Sequence, residues 1–585
     1  MIQLDRVGEK MSKELKRTRT ASSMYSQYIN GNNSQDNKGH FESKKNFRVD
    51  LSGYSITKNR VTIGSTCKWD KKNSSGVPID YDENTKTVYV DGSDAHTMLV
   101  GSTGSKKSRL VVMPTIHTLA AAGENIIICD PKGEIYKRTA GVLQKMSYEV
   151  HAINLREPQK GDGWNVLSIP FRHYCNNEID KACEYINDMT INLIPIIAKD
   201  PYWDYCSRDL FFGLVMLLFK ICREKNLPSN YVNISCVLQL KQELFFSTIS
   251  GEIQNSTLWN YAKNDDVVRM RLNGIVICPE KTLSCIISTF DQHMSCFSLQ
   301  PQVTEMLSES TFNVTDCGFK KKAIFMIMPD EKTTFHKIIT IFLKQIYEIL
   351  IVSAFNNTED NHFPVRINFL LDEFSSLPTI SDFPQMISAS RSRNIRFILV
   401  VQSKHQLKQR YKEETNTIMS NCSNWMFLTS RETELLREIS ELSGTTGKTH
   451  EPLISISRLQ HLDKERGECL IFNGRKYPYI ALLPDIDMYD NKEYEVIKLP
   501  IRKEKAKINT SQKFFEGLLK RMDNTTTKDL DSHFDDNISH NNTFEGNKSE
   551  EQETVSDIQK ELEAKFVELF GKIDNPNSDD SNNNS

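Results

Sequence analysis

Short apolar runs alternate along most of the chain with longer runs whose apolar positions recur at helical spacing. Residues 98–100 (Met98, Leu99, Val100) are a compact apolar run that predicts a buried strand. Residues 110–122 then carry helical spacing and stop at Gly123. Runs at 126–129 and 149–154 again read as strands. Short apolar runs without polar alternation are the mark of strands covered on both faces. From 176 to 293 the pattern changes: helical spacing fills 179–194, 203–222, 232–246 and 258–275, and no strand is needed. Alternation returns with a strand at 323–328, a helix at 333–354 and a strand at 367–371. A helix at 383–390, strands at 397–401 and 425–429, a helix at 432–442 and strands at 469–472 and 479–482 follow. Between 52 and 92 short strand patterns, such as 87–90 before the turn pair Asp91-Gly92, predict a small β layer. The expected fold class is α/β, a sheet flanked by helices with an inserted all-α domain.

Length and composition narrow this picture. A chain of 585 residues exceeds one core, so two or three domains are expected. A net charge of −3 means that any nucleic-acid surface must be local. The 13 cysteines form no CxxC pair, and several (Cys129, Cys222, Cys278) fall in apolar runs. That reads as reduced thiols in a cytosolic protein and speaks against a disulfide framework or a zinc site. Residues 1–19 are polar and give no secretory signal. The run 210–222 is too short to span a bilayer, and 338–355 carries Lys344, Gln345 and Glu348, as an amphipathic core helix would. Residues 1–50 read as a polar, partly disordered leader. From about 503 the chain turns polar, and 531–585 reads as an acidic, disordered tail. Within the tail, Val555, Ile558, Leu562, Phe566 and Leu569 repeat at helical spacing, as a short docking helix or one that packs back on the core.

The candidate chemistry clusters at strand ends. After the first strand come Gly101, Ser102, Thr103, Gly104, Ser105, Lys106, Lys107 and Ser108. Such a loop cradles phosphates with backbone N–H groups, while Lys107 reaches the β/γ-phosphates and Ser108 ligates Mg²⁺. The strict pattern has glycine where this chain has Lys106, and a side chain at a left-handed position costs about 1 kcal/mol or more. The alternative is a basic, Ser-rich turn. The strand at 126–129 ends in Asp130-Pro131-Lys132-Gly133-Glu134, where ligands sit in open parallel sheets, or which is simply a turn. The strand at 367–371 ends in Asp372 and Glu373, placed to hold Mg²⁺ through water and to polarise the attacking water. Gln402 ends the strand at 397–401 and can sense a γ-phosphate. Arg391, Arg393 and Arg396 precede that strand, as arginine-finger candidates or as a solvated helix terminus. The triplet Lys320, Lys321 and Lys322 is a candidate contact to a phosphate backbone, or a solvated loop.

Taken together, HTMLVGSTGSKKS, IIICDPKGE, the pair Trp164-Asn165, PYWDYCSRDLFFG, INFLLDEFSSLP, RFILVVQSKHQL and SNCSNWMFLTSRETELLREISELSG span roughly residues 90 to 485. This order of motifs resembles the type IV coupling proteins, the conjugative DNA-transfer ATPases of type IV secretion. The resemblance implies a RecA-like P-loop NTPase domain split as 51–175 and 294–500 around an all-α domain at 176–293; the composition sets a 1–50 leader before it and a 501–585 tail after it. It implies ATP and Mg²⁺ bound between neighbours of a homo-hexamer. Residues 101–108, Asp130 and Lys132 would bind nucleotide, Ser108 and Asp372 the metal. Lys107 and Glu373 would be catalytic, Gln402 the sensor, and Arg391 or Arg393 the finger. The implied work is the ATP-driven pumping of single- or double-stranded DNA, or relaxase-bound DNA, to a secretion channel. The expected place is the cytoplasm or the inner face of the membrane, reached through a partner because no anchoring helix is read here. Lys106 leaves a second reading, a non-hydrolysing nucleotide-binding platform that docks secretion substrates. A third is a related DNA motor outside conjugation.

Overall fold

The structure of the protein is a computed structural model that describes residues 60–62, 75–82, 87–196, 200–227, 229–246, 257–298, 300–332, 334–445, 451–489 and 498–502. The expectations for the leader over 1–50 and for the tail with its amphipathic positions lie outside the described residues.

Strands β1 (Arg60–Thr62), β2 (Pro78–Asp82) and β3 (Thr87–Val90) form the small antiparallel layer expected ahead of the main sheet, in the order β1-β3-β2. The main sheet has nine strands. These are β4 (Thr97–Gly101), β5 (Asn125–Asp130), β6 (Glu149–Asn154), β7 (Lys322–Ile327), β8 (Ile367–Leu371), β9 (Ile395–Val401), β10 (Asn424–Thr429), β11 (Glu468–Asn473) and β12 (Tyr479–Leu482). Their order is β12-β11-β10-β4-β9-β8-β5-β7-β6. Every pair from β10 to β6 is parallel; β11 pairs antiparallel with both β10 and β12, so β11 alone runs against the other eight strands. Every residue of β4, β5, β7, β8 and β9 is buried, which is why their sequences are mostly apolar without polar alternation.

Strand order places the site. The loop strand β4 and the Asp-Glu strand β8 are separated by β9, the strand that ends in Gln402, and β5 lies beyond β8. Parallel pairing of Val100 with Val401, Leu371 with Leu399, and Cys129 with Leu371 brings four strand ends to one edge of the sheet. This is the RecA-like α/β arrangement, and a parallel sheet binds ligands at that edge.

The opposite edge is locked by a buried polar network. Glu124 Oε1 accepts from the Ser75 N–H at 2.8 Å and Oε2 from Asn368 Nδ2 at 2.9 Å and from Arg396 at 3.3 Å. Arg396 also donates to Asn368 Oδ1 and to the carbonyls of Asp91 and Ser93. Arg396 is therefore a structural cation. The lysine triplet is also engaged within the chain. Lys322 is 3 % exposed, donates to the Asn313 carbonyl and pairs with Glu149 and Asp316. Lys320 pairs with Asp316, and Lys321 donates to the Met146 carbonyl.

The helix after the phosphate loop opens differently from a plain α-helix. A π-helical turn, Ser108–Val112, passes into α-helix at Met113–Ala122, with the Met113 N–H bonded to the Ser108 carbonyl. Pro114 has no N–H to give to a carbonyl four residues back, which leaves the preceding turn free to widen. Gly123 ends the helix in the left-handed conformation. Between β6 and β7 the described elements are all helical, from Ser168–Cys175 to Pro301–Met306. The single helix expected over 258–275 is two, Thr257–Ala262 and Asp266–Val276. Asp265 splits them by capping the second, its side chain accepting from the Val268 N–H.

Trp164 and Asn165 tie this helical block to the helix His336–Asn357. Trp164 Nε1 donates to Gln345 Oε1, and Asn165 Nδ2 donates to the carbonyls of Val232 and Ser308. The helix His336–Asn357 is the one described helix long and apolar enough to cross a membrane, and 72% of its most apolar stretch is buried inside the fold. It behaves as the core helix that Lys344, Gln345 and Glu348 led us to expect.

One turn beside the site has no slack. Gly467 has φ +72°, and a Cβ there would stand 2.1 Å from the Leu483 carbonyl oxygen. Gly467→Ala is expected to cost about 1–3 kcal/mol, read as a lower urea midpoint at unchanged slope.

Candidate functional site

The end of β4 runs into the loop 101–108 with a geometry that explains its residues. Gly104 has φ +77°, and nothing lies within 4 Å of where its Cβ would be, so the loop faces open space there. Gly101 has no room for a side chain, because a Cβ would meet Ser105 Oγ at 2.6 Å and Lys107 Cγ at 2.9 Å. Lys106 sits at φ +62°, in the left-handed region that the glycine of the strict pattern would occupy. The loop thus keeps its turn with a lysine in it. The Lys106 carbonyl accepts from the N–H groups of Arg109 and Leu110 and starts the helix.

The loop bounds a cavity of about 300 Å³. Thr103, Gly104, Ser105, Lys106, Lys107 and Ser108 line one side, and Asp130, Lys132, Asp372, Glu373 and Gln402 line the other. These strand ends, separated by up to about 300 residues in sequence, are gathered around one cavity. Lys107 is nearly buried and folds back, its Nζ donating to the carbonyls of Gly101 at 2.5 Å and Ser102 at 3.1 Å. Burial pulls its pKa below the ordinary lysine value, while the charges of Asp372 and Glu373 work the other way. Ser105 Oγ is buried and has no hydrogen-bond partner among the described residues. A buried orphan hydroxyl costs free energy unless a ligand satisfies it.

A chain of side chains crosses the cavity. Thr103 Oγ1 donates to Gln402 Oε1 at 3.3 Å, and Gln402 Nε2 donates to Glu373 Oε1 at 3.2 Å. Glu373 itself lies at φ +51°, a left-handed position that a carboxylate residue seldom adopts. Its N–H donates to Asp372 Oδ1 at 3.0 Å. Behind the pair, Phe374 stacks on Tyr411 with ring centroids 5.6 Å apart. Burial, and then the charge of Glu373, push the Asp372 carboxyl up to about 7, with Lys107 opposing.

The sign of that shift gives a test. Between the ordinary carboxyl value of 3.8 and about 7, the folded nucleotide-free chain holds a proton that the unfolded chain has released. The Asp372 contribution to stability therefore falls as pH rises through this window. The difference in urea-unfolding free energy between wild type and Asp372→Asn should change across it and level off above it.

Asp130 lines the cavity, yet its carboxylate is largely spent on the backbone. Oδ1 accepts from the Gly133 N–H at 2.8 Å and Oδ2 from the Tyr136 N–H at 2.8 Å, which fixes the start of the helix Glu134–Lys145. Burial raises its pKa and these N–H groups lower it. Arg391 and Arg393 are not among the residues lining this cavity. They precede β9, whereas Gln402 follows it, and a seven-residue strand spans about 23 Å. Arg391 pairs with Asp94 at 3.0 Å, and Arg393 donates to the Ala389 carbonyl.

Residues that the sequence did not point to complete the surroundings. Lys106 Nζ pairs with Glu465, and Arg109 with Asp485 and Asp487. Arg109, Met113 and Ile135 also line the cavity. The acidic partners stand more than 350 residues from the loop and carry no local motif.

Comparison with known proteins gives a consistent picture. A family model described as type IV secretory system conjugative DNA transfer matches residues 45–464. A conjugal transfer protein TraG of Escherichia coli is 23% identical over 416 residues, covering 66% of this chain and 61% of that protein. VirD4 of Rhizobium rhizogenes is 22% identical over 375 residues, covering 60% of this chain and 50% of that protein. The chain therefore spans between half and two thirds of these relatives. Among solved structures, the trigonal form of the bacterial conjugative coupling protein TrwBdeltaN70 in complex with sulphate matches with a TM-score of 0.49 at 14% identity, covering 70% of this chain and 88% of that one. The plasmid coupling protein TrwB in complex with ADP and Mg²⁺ matches with a TM-score of 0.47 at 14% identity, covering 70% and 87%.

Proposed function

Because the chain belongs to the type IV secretory system conjugative DNA transfer family, we propose that it is the coupling ATPase of such a system, which spends ATP to move DNA or relaxase-bound DNA to a secretion channel. One observation carries the enzymatic part. The chain Thr103–Gln402–Glu373 links the phosphate loop to the hydrolysis carboxylate across the cavity. A platform that only bound nucleotide would have no need of that link.

The donor set fits a magnesium-bound nucleoside triphosphate. The open face at Gly104, the orphan hydroxyl of Ser105 and the buried lysine beside two carboxylates are what a polyphosphate and a divalent cation would satisfy. Backbone N–H groups of 102–108 would hold the phosphates, with Lys107 released from the Gly101 carbonyl. Ser108 and Asp372 would hold the cation, Asp372 giving up its proton to do so. Bound magnesium supplies neutralisation of the β- and γ-phosphate charge. Glu373 orients and deprotonates the attacking water, and Gln402 reports the γ-phosphate to it.

Arg391 and Arg393 fit this reading only from a neighbouring subunit. Their distance from the cavity of their own chain makes an in-trans finger the arrangement that uses them, in a ring with nucleotide between subunits. The platform reading drew on Lys106, and the left-handed turn kept at that position supports turnover instead.

The test is ATP hydrolysis by the purified chain with and without single- and double-stranded DNA. DNA-stimulated turnover is the expected result. Tight nucleotide binding without turnover under any of these conditions would return the platform reading.

A further inference from the structure

The lysine inside the phosphate loop has a dedicated counter-ion, and the turn that carries this counter-ion is built to hold it there. Glu465 belongs to the turn 463–467. Asp463 Oδ1 accepts from the N–H groups of Glu465 at 2.9 Å and Arg466 at 3.2 Å. Glu468 is 1 % exposed; its Oε2 accepts from the Asp463 N–H, and its Oε1 takes a bond from Arg458. Gly467 is pressed against Leu483, whose N–H donates to the Gly467 carbonyl at 2.8 Å. Leu483 leads into Asp485, which takes two bonds from Arg109 and also feels the charge of Lys106. The two turns form one unit, and its carboxylates face the two cations at the root of the phosphate-loop helix.

Both of those cations line the nucleotide cavity. The Lys106–Glu465 pair is solvent-accessible, at 27% and 68% of the two side chains, so it is a weak bond that a polyphosphate can replace.

We propose that Glu465 is a positioning residue for nucleotide exchange: it competes with nucleotide phosphates for Lys106, and Lys106 passes from Glu465 to the polyphosphate on binding and back on release. This rests on the nucleotide-binding reading above. Lys106 then replaces the glycine of the usual loop with a phosphate-binding group whose grip is set by a carboxylate in the chain. Removing the carboxylate frees Lys106 and also removes a negative charge near a polyanion, so both effects tighten binding.

The experiment is equilibrium binding of fluorescent ADP and of a non-hydrolysable ATP analogue to the full chain, with stopped-flow release of ADP. Wild type, Glu465→Gln, Lys106→Met and the double variant are compared. Glu465→Gln is expected to bind about 1.5- to fivefold more tightly and to release ADP more slowly by a similar factor, the span of an exposed ion pair. Lys106→Met is expected to bind more weakly, and adding Glu465→Gln to it should recover only a small part of the gain. Weaker or unchanged binding by Glu465→Gln overturns the proposal, and so does an equal gain in both backgrounds. A merely structural pair would lower the melting temperature and weaken binding together. Wild type that binds no nucleotide overturns the site reading as well, whereas wild type that binds and a silent Glu465→Gln overturn this proposal alone.

Discussion

Glu373→Gln is expected to lower ATP turnover by about 10²–10⁴-fold, the usual share of a positioned general base, while nucleotide affinity stays within a few-fold of wild type. The substitution keeps the shape of the side chain and its acceptor for the Gln402 amide, which bonds Glu373 Oε1 at 3.2 Å. It removes the charge and the capacity to take a proton from water. Because Glu373 also helps to push the Asp372 carboxyl up to about 7, its loss should lower the Asp372 pKa and ease metal binding at mildly acid pH. The measurement is steady-state phosphate release beside equilibrium nucleotide binding. Turnover within tenfold of wild type would move the base to another group. A parallel loss of binding would make Glu373 a binding residue.

Glu124→Ala is expected to cost about 3–5 kcal/mol of folding stability, the range for removing one partner of a buried ion pair. That is a large fraction of the total of about 5–15 kcal/mol for a typical domain. Glu124 is 1 % exposed and Arg396 is 2 % exposed. Burial and the neighbouring Arg366 pull the Arg396 pKa down to about 10, and Glu124 is the first group opposing this. Without Glu124, two guanidinium groups share a dry site, and the Ser75 N–H and the Asn368 amide each lose an acceptor. Glu124→Gln keeps one of the two accepting oxygens and loses the charge and the other acceptor, so it should fall between. Urea unfolding reads both. A cost under about 1 kcal/mol for the alanine variant would mean that water replaces the carboxylate.

The two predictions sit at opposite edges of one sheet, and the sequence treated those edges differently. At the carboxyl edge the chemistry was legible, because each group stands directly after a short apolar run: Gly101 and Asp130 as the last residues of β4 and β5, Asp372 after β8 and Gln402 after β9. At the amino edge the same signals misled. Arg396 reads like Arg391 and Arg393 in the sequence, yet it is the fully buried member and belongs to the core. Lys322 reads like Lys320, yet it turns inward to Glu149 and Asp316. A charged residue at a strand start has no local mark of which way it points.

Local signals along the chain suffice for the alternation of strands and helices, the helical block between β6 and β7, the loop 101–108 and the residues that end its neighbouring strands. These follow from local periodicity and from backbone needs such as the left-handed turn at Gly104 and Lys106. It took the folded sheet to show that β9 lies between β4 and β8, so that Gln402 bridges Thr103 and Glu373. Only it decided that Glu465, Asp485 and Asp487 answer Lys106 and Arg109. The reason is range. Propensity and periodicity act over a few residues, whereas a counter-ion is chosen by charge and distance in space: β11 begins and β12 ends at the carboxyl edge of the sheet, which sets Glu465 before the one and Asp485 and Asp487 after the other beside the loop.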